Sequence, residues 1–312
     1  MTHLSPDIHV RRPQLGENGM DVRRLLVGID FRSPSLQAAR WAAALAGPDA
    51  TVELAHVQPR HVAAHAAAAE AEAHRRLLAG LSGFASTLGA APDGLHVRSG
   101  DPAEELCTLA EDRGAGVLVL GRNLDGGDDG RTRERLLRRC TVPVLVVGSS
   151  SPPPAGRVLA ALNDGTSDAV LVAAAAIARR REAALIAVHV EPAAEDGAAA
   201  DAGVHERLRA RLSSALGAET PAAHVVIRTG DPAEELLAYL RQEPADLLVI
   251  GANARPSDDL ETLGRTTRLL ARLAPVPVLV VPHSARHVRP GSLNGRPARA
   301  RGEPPGGPLP AA

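Results

Sequence analysis

The sequence predicts an α/β protein made of two tandem doubly wound domains, each with a five-stranded parallel sheet. Runs of Val, Ile and Leu of strand length alternate with segments of helical character. Near-continuous apolar strands of this kind are typical of parallel sheets that helices cover on both faces. The series then occurs a second time, most visibly as Gly-Asp-Pro-Ala-Glu-Glu-Leu at 100–106 and again at 230–236.

The first half opens with an apolar strand at 25–29 that ends at Asp30. A Ser-Pro turn follows and starts an Ala-rich helix that runs through Ala46. The next elements are a strand at 51–57 and a long helical region at about 63–88. This alternation of strand and helix is what a βαβ unit requires.

The remainder of the first half begins with a short strand at 95–98. Asp101 is predicted to cap the following helix, because Asp is a favoured N-cap and Pro102 suits the first helical position. Strands at 117–120 and 142–147, with a helix between them, complete the half.

The second half repeats these steps with strands at 158–162, 185–190, 247–250 and 276–281. The helix-capping segments and the glycines that end the fourth strands, Gly121 and Gly251, recur at one common interval along the chain. The interval between the closing strands is longer, because the loop after the fourth strand is four residues shorter in the first half than in the second.

In both halves a strand ends at a glycine, and a polar loop leads to a second glycine that opens a helix. These pairs are Gly121 with Gly130 and Gly251 with Gly264. Glycine lets backbone approach a ligand closely, and a helix start offers unpaired N–H groups to an anion. The order of elements therefore predicts a phosphate-binding turn, although ordinary strand-end and helix-start glycines would look the same.

Ligands of doubly wound sheets bind outside the carboxyl ends of the strands. The candidate binding residues therefore lie at or beyond strand ends or at the helix starts that follow. In the first half they are Asp30, Val57, Gly121, Gly130, Arg131 and Thr132, and in the second half Asn163, Val190, Gly251, Asn253, Gly264, Arg265 and Thr266. Arg131 and Arg265 could bind phosphate through a bidentate fork, or could be solvated helix-end side chains.

The domain boundaries are predicted from composition and from the repeat. They are a disordered tail at 1–21, domains at 22–149 and 157–283, a Pro-rich linker at 150–156, and a disordered Pro/Gly/Arg-rich tail at 284–312. At 312 residues, the chain can bury two cores of ordinary size.

Composition excludes several classes of function. A net charge of −1 argues against general nucleic-acid binding, and no apolar run reaches the length of a membrane span.

No leader is recognisable at the start, which favours a cytoplasmic protein. Cys107 and Cys140 have no metal-binding or redox spacing, so we expect reduced structural thiols.

The two halves resemble the universal stress protein family. The resemblance rests on the opening Leu26-Val-Gly-Ile-Asp-Phe-Arg-Ser-Pro-Ser35, on the closing Pro-Val-Leu-Val-Val strands, and on the glycine loops. ATP-binding members carry Gly, two residues, Gly, nine residues, Gly, then Ser or Thr. The resemblance implies that Asp30 contacts a ribose hydroxyl; alternatively, Asp30 is a turn former before Ser-Pro.

The chain departs from that motif in both halves. Gly251 and Gly264 have the separation of the family's first and last glycines, but Ala254 replaces the middle glycine and Arg265 precedes Thr266. Leu124 holds the middle position of the shorter first loop. In the second half, Asn163 replaces the acidic residue at the end of the first strand.

The resemblance implies a stress-associated regulator or sensor that binds an adenine nucleotide, ATP, with which Mg²⁺ could bind. It also implies an intrachain pseudo-dimer paired through the last strands, which could pair further into a homodimer.

The alternative to a nucleotide-binding regulator is a nucleotide-free module that engages an unknown protein partner, and a third candidate is a slow ATP hydrolase. No motif supplies a P-loop, a metal cluster or a catalytic triad. His56 and His189, which recur in the second strands, are interpreted as structural.

Overall fold

The computed structural model describes residues 22–47, 49–58, 67–87, 94–122, 128–149, 151, 156–163, 168–191, 202–216, 223–243, 245–252 and 263–282. Both predicted tails, the Pro152–Pro154 stretch of the linker, Leu124, Asn253 and Ala254 lie outside these residues. The domain boundaries remain a prediction.

Strands and helices alternate through the described chain. The strands are β1 (Arg24–Gly28), β2 (Thr51–Gln58), β3 (Gly94–Ser99), β4 (Val117–Arg122), β5 (Val144–Gly148), β6 (Arg157–Leu162), β7 (Ala184–Glu191), β8 (Ala223–Thr229), β9 (Leu247–Gly251) and β10 (Val278–Val281). The helices are α1 (Ser33–Ala46), α2 (Ala67–Thr87), α3 (Pro102–Asp112), α4 (Asp128–Arg139), α5 (Asp168–Arg181), α6 (Ala202–Leu216), α7 (Pro232–Gln242) and α8 (Arg265–Leu273). None of these described helices has the length and apolar character that a bilayer crossing requires.

The strands form one ten-stranded sheet in the order β3-β2-β1-β4-β5-β10-β9-β6-β7-β8. Within each repeat the neighbouring strands are parallel, and the order reverses beside the first strand of the repeat. This is the doubly wound α/β architecture that the sequence predicts.

The two repeats join where β5 pairs antiparallel with β10, with Leu145 opposite Leu279. Strands β1 and β6 therefore share a sheet that is parallel only within each repeat. Because β5 and β10 run in opposite directions, the strands of one repeat have their carboxyl ends on one side of the sheet, and the strands of the other repeat have theirs on the opposite side. Candidate sites at the strand ends of the two repeats are therefore separated by the length of the strands.

Apolar side chains cover both faces of the sheet, and each layer runs through both repeats. One layer includes residues of α1, α2, α5 and α6, and the other includes residues of α3, α4, α7 and α8. An ion pair also crosses between the repeats, from Arg268 Nε on α8 to Glu134 Oε1 on α4 at 3.3 Å. The joined sheet and the shared layers make the repeats one packed unit.

The closing strands begin two residues later than the sequence predicts. Pro143 and Pro277 precede them, and proline has no N–H to donate to a neighbouring strand. Their carbonyls still accept hydrogen bonds from Leu118 and Leu248 at 2.9 and 3.0 Å. The prolines therefore mark the strand starts in both repeats.

The prediction of reduced thiols is wrong, because Cys107 on α3 and Cys140 after α4 form a disulfide. Their Cα atoms are 5.2 Å apart, within the usual range for a bridge. The two residues are 33 positions apart in the sequence, and only the packing of α3 against α4 brings them together.

Candidate functional sites

The second repeat presents the start of α8 at the carboxyl end of β9. The Thr267 hydroxyl, on the first turn of α8, donates to the carbonyl of Gly251 at 2.8 Å. The N-cap of this helix is Gly264, which supplies no side-chain hydrogen bond, and the first turn contains no acidic residue. The arrangement suits an anion, because no described capping side chain or carboxylate occupies the positive end of the helix dipole.

Gly264 adopts φ −55° and ψ 143°, a backbone conformation that any residue can take. Its glycine identity is therefore not explained by backbone strain.

The other predicted residues of this repeat differ in how they are placed. Arg265 is 78% exposed, and its Nη1 lies 3.4 Å from Asp231 Oδ2, so it faces the cap of α7 in this structure. Thr266 is half-buried, whereas the hydrogen bond to the strand end comes from its neighbour Thr267. The sequence pointed to Thr266, and only the helix register shows that Thr267 faces β9.

Asn163 and Val190 lie at the ends of β6 and β7, on the side of β9 away from β10 in the sheet. Asn163 is exposed and its backbone carbonyl accepts from Arg211 Nη1 at 3.0 Å, while Val190 is buried. His189 is also buried, and its Nδ1 has no hydrogen-bond partner among the described residues. The sheet order thus places Asn163, Val190 and Gly251 together at the carboxyl ends of three neighbouring strands.

In the first repeat Asp30 acts as a turn former. Its Oδ1 accepts from the Arg32 N–H at 2.9 Å, and its own N–H donates to Ser35 Oγ at 3.3 Å. The side chain is exposed at the end of β1. The first of these bonds is typical of an Asx turn, and the second ties that turn to the first turn of α1.

His56 has a structural contact beside that turn. Its Nδ1 lies 2.7 Å from the carbonyl oxygen of Ile29, and its ring centroid is 5.0 Å from that of Phe31. Val57, the neighbouring candidate, is buried within β2. This geometry supports the structural interpretation of His56.

Gly121 is required by packing. A Cβ at this position would lie 2.4 Å from the backbone carbon of Pro34 and 2.5 Å from the Ser35 nitrogen. The glycine at the end of β4 therefore lets α1 approach the sheet, whatever binds nearby.

The sequence predicted that Gly130 opens a helix. In the structure Gly130 instead lies inside the first turn of α4. The shorter loop lets that helix begin at Asp128, three residues earlier than the correspondence with α8 predicts. A Cβ at Gly130 would meet no described atom closer than Arg133 Nη2, at 4.0 Å. Arg131 is exposed and Thr132 half-buried on the same turn.

The comparison with known proteins identifies the family. A sequence model of the universal stress protein family matches residues 21–148 and again residues 155–282. The chain belongs to this family. It is a tandem universal stress protein, since the two matches together span most of its length. No curated protein matches the chain.

Solved universal stress proteins share this fold. One from Archaeoglobus fulgidus is 21% identical, with a TM-score of 0.63 over 83% of this chain and 98% of that chain. A putative universal stress protein from Pseudomonas aeruginosa is 18% identical, with a TM-score of 0.58 over 85% of this chain and 95% of that chain. A universal stress protein in complex with cAMP is 25% identical over 40% of this chain and 97% of that chain, with a TM-score of 0.34.

The sequence interpretation missed one charged residue of this universal stress protein. Arg122 follows Gly121 at the end of β4 and is 6% exposed. Burial, reinforced by the positive charge of Arg133, lowers the pKa of the Arg122 guanidinium from its ordinary value. A comparison of the two repeats could have revealed it. Ala252 follows Gly251 in the second repeat, and an alanine at the position that corresponds to Arg122 indicates a buried site.

Proposed function

We propose that this universal stress protein is a stress-associated regulator or sensor that binds an adenine nucleotide, ATP, in its second repeat. The observation that carries the proposal is the hydrogen bond from Thr267 to Gly251, which holds the start of α8 beside the end of β9. Phosphate oxygens would accept from the first N–H groups of α8, and Asn163 would face the ribose. Mg²⁺ could bind with the phosphates.

A nucleotide-free interaction module is the second candidate, and the first repeat favours it. Asp30 is engaged in its own turn, and Gly121 is explained by the approach of α1. On that account the duplicated surface would engage a protein partner, or a second copy of the chain. Slow ATP hydrolysis is the third candidate, for which we assign no catalytic residue.

We further propose a cytoplasmic location. There, reducing thiol systems would act on the Cys107–Cys140 bond, and the two sulfurs would exchange between disulfide and dithiol. Trapping of free thiols in intact cells, followed by mass measurement, would give the proportion of each form.

Calorimetry with ATP on three proteins tests the nucleotide proposal. Gly264→Val should remove most of the binding, because a branched Cβ would crowd the approach to the helix start, while the backbone angles of Gly264 permit Val. Gly130→Val is the matched control in the first repeat and should do much less, because the described residues leave space around that position.

Equal loss of ATP binding in both variants would contradict the assignment to the second repeat. Absence of heat from the unmodified protein at millimolar ATP would favour the nucleotide-free module. Mass spectrometry of nucleotide that remains bound through purification gives an independent answer.

A further inference from the structure

The two repeats meet about an approximate two-fold axis, which the register of β5 with β10 reveals. Leu145 lies opposite Leu279, which is its counterpart in the second repeat. Val144 lies opposite Val280, the counterpart of Val146, so the pairing is the same when read from either strand. In such an interface a residue close to the axis contacts its own counterpart. The side chains at these positions therefore decide whether a repeat can pair with a copy of itself.

On one face of the sheet the axis joins two opposite charges. Glu134 on α4 and Arg268 on α8 are counterparts, because the interval between them equals the interval between Leu145 and Leu279. Arg268 Nε lies 3.3 Å from Glu134 Oε1, with both side chains partly exposed. Two identical repeats would place like charges in this contact, which is unfavourable. The first repeat thus carries the acid and the second repeat the base of one symmetric contact.

On the other face, arginines of the second repeat cap a helix of the first. Arg180, in the last turn of α5, donates to the carbonyl of Ala46 and, through Nε, to that of Leu45 at 3.4 Å. Arg181 Nη1 donates to the carbonyl of Ala44 at 2.9 Å. The last carbonyls of a helix have no partner within the helix, and a positive charge is favourable beside them. Helix α1 has no basic residue in its own last turn, so the second repeat supplies its cap.

The two helix ends differ in a way that permits this cap in one direction only. His56 and His189 align, and at that interval the counterpart of Arg180 is Gly47. Gly47 follows the last residue of α1 at φ 70°, whereas α5 continues through Arg180 and Arg181. A Cβ at Gly47 would lie 3.2 Å from Arg180 Nη2. The first repeat therefore has no arginine to offer here, and its glycine leaves room for the arginine of the second.

We propose that the joining surface of each repeat recognises the other repeat and rejects a copy of itself. The joining surface comprises Glu134, Leu145 and the end of α1 at 44–47 in the first repeat, and Arg180, Arg181, Arg268 and Leu279 in the second. Specificity of this kind combines attraction in the correct pair with repulsion or unpaired groups in the wrong one.

Each wrong pair would lose both contacts. Two first repeats would place Glu134 against Glu134 and leave both α1 helices without arginine caps. Two second repeats would place Arg268 against Arg268 and Arg180 against Arg180. The chain is thus built to close on itself, and two chains could share this surface only by exchange, first repeat against second. This selectivity is independent of nucleotide binding.

The full chain can carry each of the three charge pairs at the axis, which allows a direct test. Glu134→Arg creates the arginine pair of two second repeats, and Arg268→Glu creates the glutamate pair of two first repeats. Both variants should lower the urea midpoint of unfolding at low ionic strength, and added sodium chloride should reduce the loss. The double variant restores opposite charges in reversed order and should recover more than half of the summed loss.

Arg272→Glu is the matched control for this cycle. Arg272 is exposed one turn further along α8 and forms no ion pair among the described residues. Its charge reversal should change the midpoint equally with and without Glu134→Arg. Coupling of Glu134→Arg to Arg272→Glu as strong as its coupling to Arg268→Glu would overturn the assignment to the axis.

The helix cap is tested by amide hydrogen exchange in the full chain. Arg180→Ala should accelerate exchange in β5 and β10, where the repeats separate, more than in β2 and β7. Arg272→Ala, which also removes an arginine from the last turn of a second-repeat helix, should leave exchange in β5 and β10 unchanged.

Three results would overturn the proposal. They are midpoints of both charge reversals equal to that of the unmodified protein, no recovery in the double variant, and unchanged exchange in β5 and β10 of Arg180→Ala. Equal acceleration in all four strands of Arg180→Ala would also contradict it, because general destabilisation would then replace separation of the repeats.

Discussion

At three corresponding places the first repeat carries a disulfide or charged side chains where the second carries apolar or neutral ones. The Cys107–Cys140 bridge corresponds to Leu237 and Ala274, and Arg122 with Arg133 corresponds to Ala252 with Thr267. Glu53 on β2 corresponds to Ile186 on β7, since His56 and His189 align. The same backbone architecture therefore accommodates either kind of side chain at these three places.

Glu53 shows how a buried charge can be compensated within the protein. Its carboxylate accepts from Arg113 Nε at 2.8 Å and from Arg113 Nη2 at 2.9 Å, and lies 2.6 Å from His96 Nε2. Burial opposes the ionisation of Glu53, but the hydrogen bonds from Arg113 and His96 outweigh it and hold the pKa of Glu53 below its ordinary value. The Nε and Nη1 atoms of Arg122 have no such partners among the described residues.

Reduction of the disulfide should have the largest effect on stability. Opening a bridge between residues 33 positions apart should lower the free energy of unfolding by about 3–4 kcal/mol, chiefly through the freed unfolded chain. Chemical unfolding with and without dithiothreitol measures this difference. A Cys107→Ala/Cys140→Ala double variant should be insensitive to the reductant. Equal free energies of unfolding for the oxidised and reduced protein would show that the disulfide adds no stability beyond the packing of α3 against α4.

Gly121→Ala should cost about 3 kcal/mol, because its Cβ would overlap the α1 backbone, which cannot move as a side chain could. Gly130→Ala, inside α4, should stabilise the protein by about 0.5–1 kcal/mol. Urea unfolding of both variants checks the contrast. A mild effect at Gly121 would mean that α1 can withdraw from β4.

Glu53→Gln should cost about 2 kcal/mol, because it removes charge-assisted hydrogen bonds from a buried group. The folded-state pKa of Glu53 is lowered, so its contribution is complete above the ordinary glutamate pKa of about 4.3. That contribution is lost as the pH falls through the lower folded-state pKa. Unfolding curves across acid pH should therefore converge for the variant and the unmodified protein.

Glu72→Gln is the matched control for Glu53→Gln. Glu72 forms ion pairs with Arg75 and Arg76 on the surface of α2, with both arginines largely exposed. Surface pairs contribute about 0–1 kcal/mol, so this change should have little effect at any pH. A pH dependence equal to that of Glu53→Gln would contradict the role of burial.

Parts of both candidate sites could be predicted from the sequence. Strand-end residues such as Asn163 and Gly251 do meet at one sheet edge, because parallel strands carry their carboxyl ends together. Thr267 and Arg122 were missed, because the side of a helix or strand that faces a neighbour depends on register. Gly130 was placed outside α4, because a shortened loop changed where that helix begins.

The sequence by itself determined the alternation of strands and helices, the duplication, and the helix caps. These depend on short-range physics: Asp101 and Asp231 each accept from backbone N–H groups two and three residues later. Only the tertiary structure decided the disulfide, the partners of Glu53, the closeness of Gly121 to α1, and the burial of Arg122. Each of these depends on how distant elements approach one another, as Glu53 does with partners 43 and 60 residues away. Periodicity records which face of an element is buried, but not which group lies opposite it.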